Sequence, residues 1–206
     1  MQIIKPFGPS IVKLKIPEEI IVGLNDYVDQ VVKSETKSKE LDYGSKLAGN
    51  VKQEILLEES LQKKVGWGNF LASSVQKWIN FEKKKNITEF KIINSWIVRQ
   101  FKNEYNPTHF HDGHISGVGY LKVPKNFGEY SQDSKSLNRN GKLDLIHGSK
   151  MFLCNSNYIV TPEVGDMYLF PNYLMHSVYP FTGTEEERRS VSFNAFIDKN
   201  VANPYI

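Results

Sequence analysis

The spacing of apolar residues changes near residue 89, and the two sides of that position predict different structure. On the N-terminal side, Pro17 and the two acids after it open a segment whose apolar residues recur at helical spacing as far as residue 33. Residues 34–55, rich in lysine, serine and glycine, then predict a solvated loop. Apolar residues at helical spacing between positions 57 and 79 predict one or two further helices.

The C-terminal side consists of short runs rich in β-branched and aromatic residues, separated by glycine, proline and asparagine. The runs are residues 90–101, 115–123, 143–146, 158–160, 166–170 and 190–197. Several such strands in sequence predict a sandwich or barrel. The polar residues 124–141 are too many for a hairpin turn and predict a flap or a surface insertion. We therefore expect a mainly β chain of the α+β class, with a helical N-terminal extension (residues 1–88) packed on a jelly-roll barrel (residues 89–206) as one structural unit.

Composition narrows the class of protein. The chain has 206 residues, 40% of them hydrophobic, with 12 Phe, 10 Tyr and 3 Trp, which is enough for one folded domain. A net charge of +3 gives no reason to expect a nucleic-acid partner, and no apolar run approaches the ~20 residues of a membrane span. Cys154 is the only cysteine, which excludes an intramolecular disulfide and a multi-cysteine zinc site and suits the reducing cytoplasm. Any metal ion must then be held by His, Asp or Glu.

Histidines in the β-rich half are the strongest candidates for metal ligands. Because alternate residues of a strand project to the same face, His109 and His111 are expected to point together, with Phe110 in the opposite layer. Two imidazoles on one face can share a metal ion. His176 is the candidate third ligand, since it follows a predicted strand that ends in a turn at Pro171. The sequence thus predicts a metal site at His109, His111 and His176.

The same region carries an ordered set of motifs. After the His109-x-His111 pair come Ser116-Gly117-Val118-Gly119-Tyr120-Leu121, Pro162-Glu-Val-Gly165-Asp166-Met-Tyr-Leu-Phe170-Pro171, His176-Ser-Val-Tyr-Pro180 and Glu187-Arg188-Arg189-Ser190-Val191-Ser192-Phe193-Asn194. Their order over residues 90–198 resembles the 2-oxoglutarate and Fe(II)-dependent oxygenases, and more closely a bacterial and phage group with a His-x-His…Ser-Gly-Val-x-Tyr signature. The resemblance implies a double-stranded β-helix, which is a jelly-roll barrel.

The resemblance also implies cofactors and further site residues. These are Fe(II), 2-oxoglutarate and O₂, with ascorbate as a candidate reductant. The cosubstrate 2-oxoglutarate would chelate the iron, and its distal carboxylate needs a cation inside the barrel. Arg189, thirteen residues after His176 at the head of an apolar strand, is the expected partner, although periodicity alone leaves Arg188 open. Tyr120 matches the family position whose hydroxyl supports that carboxylate.

One departure from the superfamily pattern leaves the ligand set open. Most members carry His-x-Asp, whereas position 111 is histidine and Asp112 lies one residue later. A set of His109, His111 and His176 keeps the alternate-residue geometry. A set of His111, Asp112 and His176 restores a carboxylate, but it requires a bulge or a strand end. In a third arrangement, Gly113 vacates a ligand position beside His111 and leaves room for a halide.

The expected function is that of an Fe(II)- and 2-oxoglutarate-dependent dioxygenase, which hydroxylates a small molecule or a protein side chain that the sequence does not identify. Two alternatives come from other classes. One is a non-catalytic, cupin-like jelly roll that binds a metal or another ligand. The other is a cupin-type dioxygenase that uses three histidines and ignores 2-oxoglutarate. The sequence leaves the oligomeric state open, with a homodimer as one alternative.

Overall fold

The computed structural model of the chain describes residues 1–5, 8–129 and 134–203. Its helices are α1 (Glu18–Val32), α2 (Glu35–Glu40), α3 (Glu59–Lys64), α4 (Trp67–Lys83) and α5 (Lys199–Ala202), with a 3₁₀ turn at Gly44–Lys46. Its strands are β1 (Gln2–Ile4), β2 (Ile11–Lys15), β3 (Gln53–Leu56), β4 (Phe90–Gln100), β5 (Asn106–His109), β6 (Ile115–Lys122), β7 (Leu143–Ile146), β8 (Asn157–Val160), β9 (Asp166–Pro171), β10 (Met175–Val178) and β11 (Arg188–Ile197).

Within the described residues, the strands form two antiparallel sheets that face each other. The larger has the order β1-β2-β9-β6-β11-β4-β3, and the smaller has the order β5-β10-β7-β8. Neighbours that are distant in sequence, such as β2 with β9 and β6 with β11, are the crossovers expected of a jelly roll. The predicted fold class, mainly β with helices and a double-stranded β-helix, is confirmed.

The helices cover the outer face of the larger sheet. Leu24 of α1 and Leu71 of α4 are fully buried in a cluster with Val191 and Phe193 of β11. Burying each such side chain contributes about 1.5–3 kcal/mol, so this face is the main apolar core. The opposite face packs against the smaller sheet through a second cluster, which includes Tyr120. Polar side chains that point between the two sheets therefore line an internal cavity.

The N-terminal region, expected to contain helices and a loop, also contributes strands. The strands β1, β2 and β3 lie within residues 1–88 and extend the larger sheet at its two edges. Residues 34–55, expected to be a loop, also contain α2, whose first turn is capped by the Ser34 side chain. Both Ile11–Lys15 and Gln53–Leu56 are too short for a clear periodic signal, but each forms backbone hydrogen bonds with a neighbouring strand.

The segment predicted to be a flap is described only in part. Of the predicted flap at residues 124–141, residues 130–133 lie outside the described residues. Before that gap, Gly128 packs on Gly183, where a Cβ would come within 2.5 Å of the Gly183 backbone. None of the helices in the described part of the chain is both long and apolar enough to cross a membrane.

Candidate metal and cosubstrate site

Three histidines converge at one end of the smaller sheet. His109 ends β5 and is the direct antiparallel partner of His176 on β10. His111 follows β5, and its ring centroid lies 4.9 Å from those of both His109 and His176. The centroids of His109 and His176 are 4.3 Å apart. One potential ligand atom from each histidine lies within 4.8 Å of the other two, so the three can hold one metal ion.

The hydrogen bonds of two of these imidazoles orient them for metal binding. The Nδ1 atom of His109 lies 2.7 Å from the Pro107 carbonyl oxygen, and Nδ1 of His176 lies 2.9 Å from that of Leu174. A carbonyl only accepts, so each Nδ1 carries the proton and each Nε2 keeps its lone pair. Burial lowers the pKa of all three histidines, to about 4 for His111 and to about 3 for His176. The three rings are therefore neutral at pH 7.

The backbone of His111 is fixed by Asn172, in the turn between β9 and β10. The His111 amide donates to the Asn172 carbonyl at 3.0 Å, and the Asn172 side-chain amide donates back to the His111 carbonyl at 2.9 Å. These bonds replace the strand ladder, because β5 has already ended at His109. The sequence analysis did not single out Asn172. Its position directly after the strand that precedes His176 was the available signal.

Neither sequence neighbour of His111 is buried. Phe110 is 63% exposed and not packed in an opposite layer, because the chain leaves β5 before reaching it. Asp112 is also exposed and does not belong to the cluster of ligand atoms. The geometry brings together the set of His109, His111 and His176, not the set that contains Asp112.

Arg188 lies deep between the sheets on β11. It is 1% exposed, and its guanidinium carbon lies 5.1 Å from the centroid of the Tyr120 ring. Nη1 donates to the Gln100 side-chain carbonyl at 3.1 Å, whereas Nε, Nη2 and the Tyr120 hydroxyl have no hydrogen-bond partner among the described residues. Burial lowers the pKa of Arg188 and raises that of Tyr120 to about 12. Nε and Nη2 share one edge of the guanidinium, so an unused two-donor edge remains.

Arg189, the expected cosubstrate residue, faces the other way. Its Nη2 donates to Asp29 of α1 at 2.7 Å and to Glu187 at 3.0 Å, and its Nη1 donates to the Asn25 side chain at 3.0 Å. The prediction that Arg189 points into the barrel is therefore wrong, and Arg188, the alternative left open, takes that position. Polar Ser190 and Ser192 continue the inward face, while Val191 and Phe193 pack under the helices.

One cavity joins the histidines to Arg188. It has a volume of about 170 Å³, and its wall includes the three histidines, Arg188, Ser190 and Ser192. Trp96 and Phe170 lie against the rings of His111 and His176, with centroids 5.6 and 5.0 Å apart. A small anion with two binding ends can thus contact a metal at the histidines and the guanidinium in the interior.

A family model described as "Putative 2OG-Fe(II) oxygenase" matches residues 94–194, about half of the chain. The chain belongs to the 2-oxoglutarate/Fe(II) oxygenase superfamily. The matched region runs from β4 to β11 and contains the three histidines and Arg188. The protein is accordingly an oxygenase that uses Fe(II) and 2-oxoglutarate. The narrower bacterial and phage grouping stays a prediction. A search of curated proteins finds no match.

Solved structures of oxygenases share the fold. A prolyl-4-hydroxylase from Pseudomonas putida has a TM-score of 0.55 and 14% identity, over 91% of this chain and 91% of its own. A prolyl hydroxylase from Trichoplax adhaerens, in complex with a hypoxia inducible factor peptide fragment, has a TM-score of 0.59 and 14% identity, over 93% of this chain and 86% of its own. HygX from Streptomyces hygroscopicus, with nickel, 2-oxoglutarate and hygromycin B bound, has a TM-score of 0.59 and 10% identity, over 92% of this chain and 83% of its own. At these identities the likeness shows the fold alone.

The residues of this oxygenase fit both cofactors. Imidazole nitrogens are suitable donors for Fe(II), and Nε2 of His111 and His176 lie 3.1 Å apart. Each of the three histidines offers a nitrogen within 4.8 Å of the other two, close enough for one ion to contact all three. The unpartnered edge of Arg188 and the Tyr120 hydroxyl match a carboxylate. A buried guanidinium without an anion is costly, which favours an anionic ligand here.

Proposed function

We propose that His109, His111 and His176 hold Fe(II), and that Arg188 with Tyr120 binds the distal carboxylate of 2-oxoglutarate. The observation that carries this proposal is the shared cavity, with three imidazoles at one end and an unpaired two-donor guanidinium edge at the other. The departure from His-x-Asp supports a three-histidine set, because Asp112 is exposed and outside the cluster.

The chain's own residues bind and orient the reactants. When bound, Fe(II) and 2-oxoglutarate supply O₂ activation coupled to oxidative decarboxylation of the cosubstrate to succinate and CO₂. The Nδ1 hydrogen bonds of His109 and His176 hold Nε2 available to the metal. Arg188, held by Gln100, fixes the other end of the cosubstrate. Trp96 and Phe170 pack against the rings of His111 and His176, and this apolar wall lowers the local dielectric constant and so strengthens electrostatic contacts inside the cavity.

The reaction on the primary substrate is proposed to be a hydroxylation. The prolyl hydroxylases share the fold, and one was solved with a peptide fragment, whereas HygX was solved with hygromycin B, so proteins of this fold bind both a peptide and a small molecule. A cavity of about 170 Å³ has room for little beyond the cosubstrate. The primary substrate therefore inserts only a short part of its length beside the cosubstrate, whether it is a small molecule or a protein side chain. A cytoplasmic location stays a prediction from composition.

The test is turnover of 2-oxoglutarate without a primary substrate. Aerobic incubation with Fe(II), ascorbate and 2-oxoglutarate should form succinate slowly, and omission of either Fe(II) or 2-oxoglutarate should abolish it. His176→Ala should be inactive, while the exposed Asp112→Ala should retain the activity. Consumption of O₂ without succinate would favour a three-histidine dioxygenase that ignores 2-oxoglutarate. Absence of iron binding would favour a non-catalytic jelly roll.

A further inference from the structure

A second buried charge lines the cavity outside the proposed iron and cosubstrate site. Glu54 on β3 is 3% exposed, and its side chain has no hydrogen bond or ion pair among the described residues. It lies beside Val98 in the ladder between β3 and β4, and both residues line the cavity. Burial, and then the nearby Asp42 carboxylate, raise the pKa of Glu54 to about 7. This carboxylate is therefore without the partner that its burial demands.

A second acceptor faces the same point from the smaller sheet. The Asn106 side-chain oxygen on β5 is buried and also unpartnered. A Cβ built on Gly49 would lie 2.4 Å from this oxygen and 2.7 Å from Glu54 Oε1, so both atoms converge on one position. The segment around Gly49 is pinned there, because the Asn50 and Tyr105 backbones exchange hydrogen bonds of 2.9 and 3.2 Å. Two acceptors thus meet where the free edges of the two sheets come together.

The position of this pair connects it with the proposed iron. Glu54 lies diagonally across the ladder from Trp96, whose ring centroid is 5.6 Å from that of His111. Asn106 begins the strand that His109 ends. The two acceptors and the three histidines thus line one cavity. Glu54 is aligned through Val98 with Ser190, whereas Arg188 is paired with Gln100 further along the same ladder.

We infer that Glu54 and Asn106 form a subsite for a cationic group of the primary substrate, an ammonium or a guanidinium. An ionised carboxylate and an amide oxygen only accept hydrogen bonds, and both groups of cation carry several donors. A cation also supplies the charge that Glu54 lacks, whereas a neutral hydroxyl does not. The inference rests on the proposed function, since it places this group next to an iron held by the histidines.

The test measures how small organic cations perturb the anaerobic complex of the protein with Fe(II) and 2-oxoglutarate. The probes are n-butylammonium, n-butylguanidinium and, as the neutral comparison, 1-butanol. Each is titrated while the visible charge-transfer band of the complex is recorded. The variants are Glu54→Gln, which keeps the shape of the side chain, and Glu59→Gln, the same change on an exposed side chain of α3. Gly49→Ala is a third, because its Cβ would occupy the meeting point of the two acceptors.

In the wild type, at least one cation should bind tenfold or more tightly than 1-butanol. Glu54→Gln and Gly49→Ala should remove that preference and leave the starting band unchanged, while Glu59→Gln should keep both. A normal band without any preference for cations, or a preference that survives in Glu54→Gln, would overturn the inference and leave the proposed function standing. A wild type that forms no charge-transfer band would overturn the proposed function, and the inference with it.

Discussion

The Nε2 atoms of His111 and His176 lie 3.1 Å apart, although 65 positions separate the two residues in the chain. The two rings are neutral, because burial lowers the pKa of each well below 7. The Nδ1–H of His176 is already donated to the Leu174 carbonyl, so its Nε2 offers a lone pair. A divalent metal ion bound by His176 would use that lone pair, and His111 and His109 would supply the other two donors.

Substitution of His176 should abolish stoichiometric iron binding. Two remaining imidazoles hold a labile ion poorly, so His176→Ala should bind less than one tenth of the iron of the wild type after gel filtration. Asp112→Ala should keep full iron content, because that carboxylate is exposed and outside the cluster. Iron analysis by a colorimetric chelator decides both. Loss of iron from Asp112→Ala would identify Asp112 as a ligand in place of His109.

Asn172 should matter for metal affinity through the position of His111. Asn172→Asp keeps the size of the side chain but loses the N–H group that bonds the His111 carbonyl at 2.9 Å. Loss of a group that orients a metal ligand costs about 10–100-fold in metal affinity, and we expect the lower end of this range. Competition of the variant against a metal indicator measures the change, with the exposed Asn69→Asp on α4 as the control. Equal affinities of the two variants would mean that His111 is held adequately without this bond.

Arg188→Lys should weaken 2-oxoglutarate binding, and Arg189→Lys should not. Lysine keeps the charge but loses the two-donor edge, which corresponds to about tenfold or somewhat more in affinity. Arg189 is engaged with Glu187 and Asp29 on the helix side of the sheet. Dissociation constants come from the charge-transfer band of the anaerobic Fe(II) complex. If Arg189→Lys is the damaging variant, the strand register in this structure is incorrect; if neither is, the cosubstrate lies elsewhere.

The contrast between these two arginines shows where sequence reasoning stops. Alternation predicts that neighbours face opposite ways, but the choice of inward face depends on what covers the sheet. The apolar alternates Val191 and Phe193 lie under the helices, which leaves Arg188 for the cavity. The ladder also shifts register between Arg189 and Ser190 opposite β6, and no local pattern in the sequence marks that shift.

Other parts of the site and fold also divide into features that the local sequence predicts and features that depend on tertiary structure. Alternation predicted that His109 and His111 converge, and the structure brings them together. However, β5 ends at His109, so the hydrogen bonds to Asn172 position His111 in place of the strand ladder. The strand β3, by contrast, has four residues, too few for a periodic signal, so Glu54 was assigned to a loop. Its strand forms only because β4 offers a free edge. That edge is a tertiary property that the local sequence does not contain.

Removal of the Arg189 charge should destabilise the fold without changing iron content. Arg189 and Glu187 are 2% and 9% exposed in their side chains and pair at 2.8 Å. Arg189→Met leaves a buried carboxylate with Arg99 as its remaining partner, so we expect a loss of about 2–3 kcal/mol, less than the 3–5 kcal/mol for a fully orphaned charge. Urea unfolding at pH 7 measures the loss. Arg189→Met combined with Glu187→Leu should recover most of it, and a double variant as unstable as the single one would contradict this account.

Glu54→Gln should stabilise the protein at alkaline pH. The pKa of Glu54 is about 7 in the folded state against 4.5 as its ordinary value, chiefly because of burial. A carboxyl whose pKa is raised by folding is harder to ionise in the folded chain, so it reduces stability progressively as the pH rises from about 4.5 to 7. The full penalty for this shift is about 3–4 kcal/mol, and glutamine removes it. Urea unfolding should therefore show a more stable variant at pH 8 and little difference at pH 5.

The same experiment separates the loss of stability caused by the buried Glu54 carboxylate from its proposed role in binding a cation. Glu59→Gln, on the exposed surface of α3, should show no gain that grows with pH, because Glu59 is paired with Lys63 in solvent. A saturating organic cation should narrow the difference between the wild type and Glu54→Gln at pH 8, since a ligand that binds only the folded state stabilises it. If Glu54→Gln is less stable than the wild type at pH 8, the carboxylate makes a stabilising contact that outweighs its burial, and it is not held in reserve for a substrate.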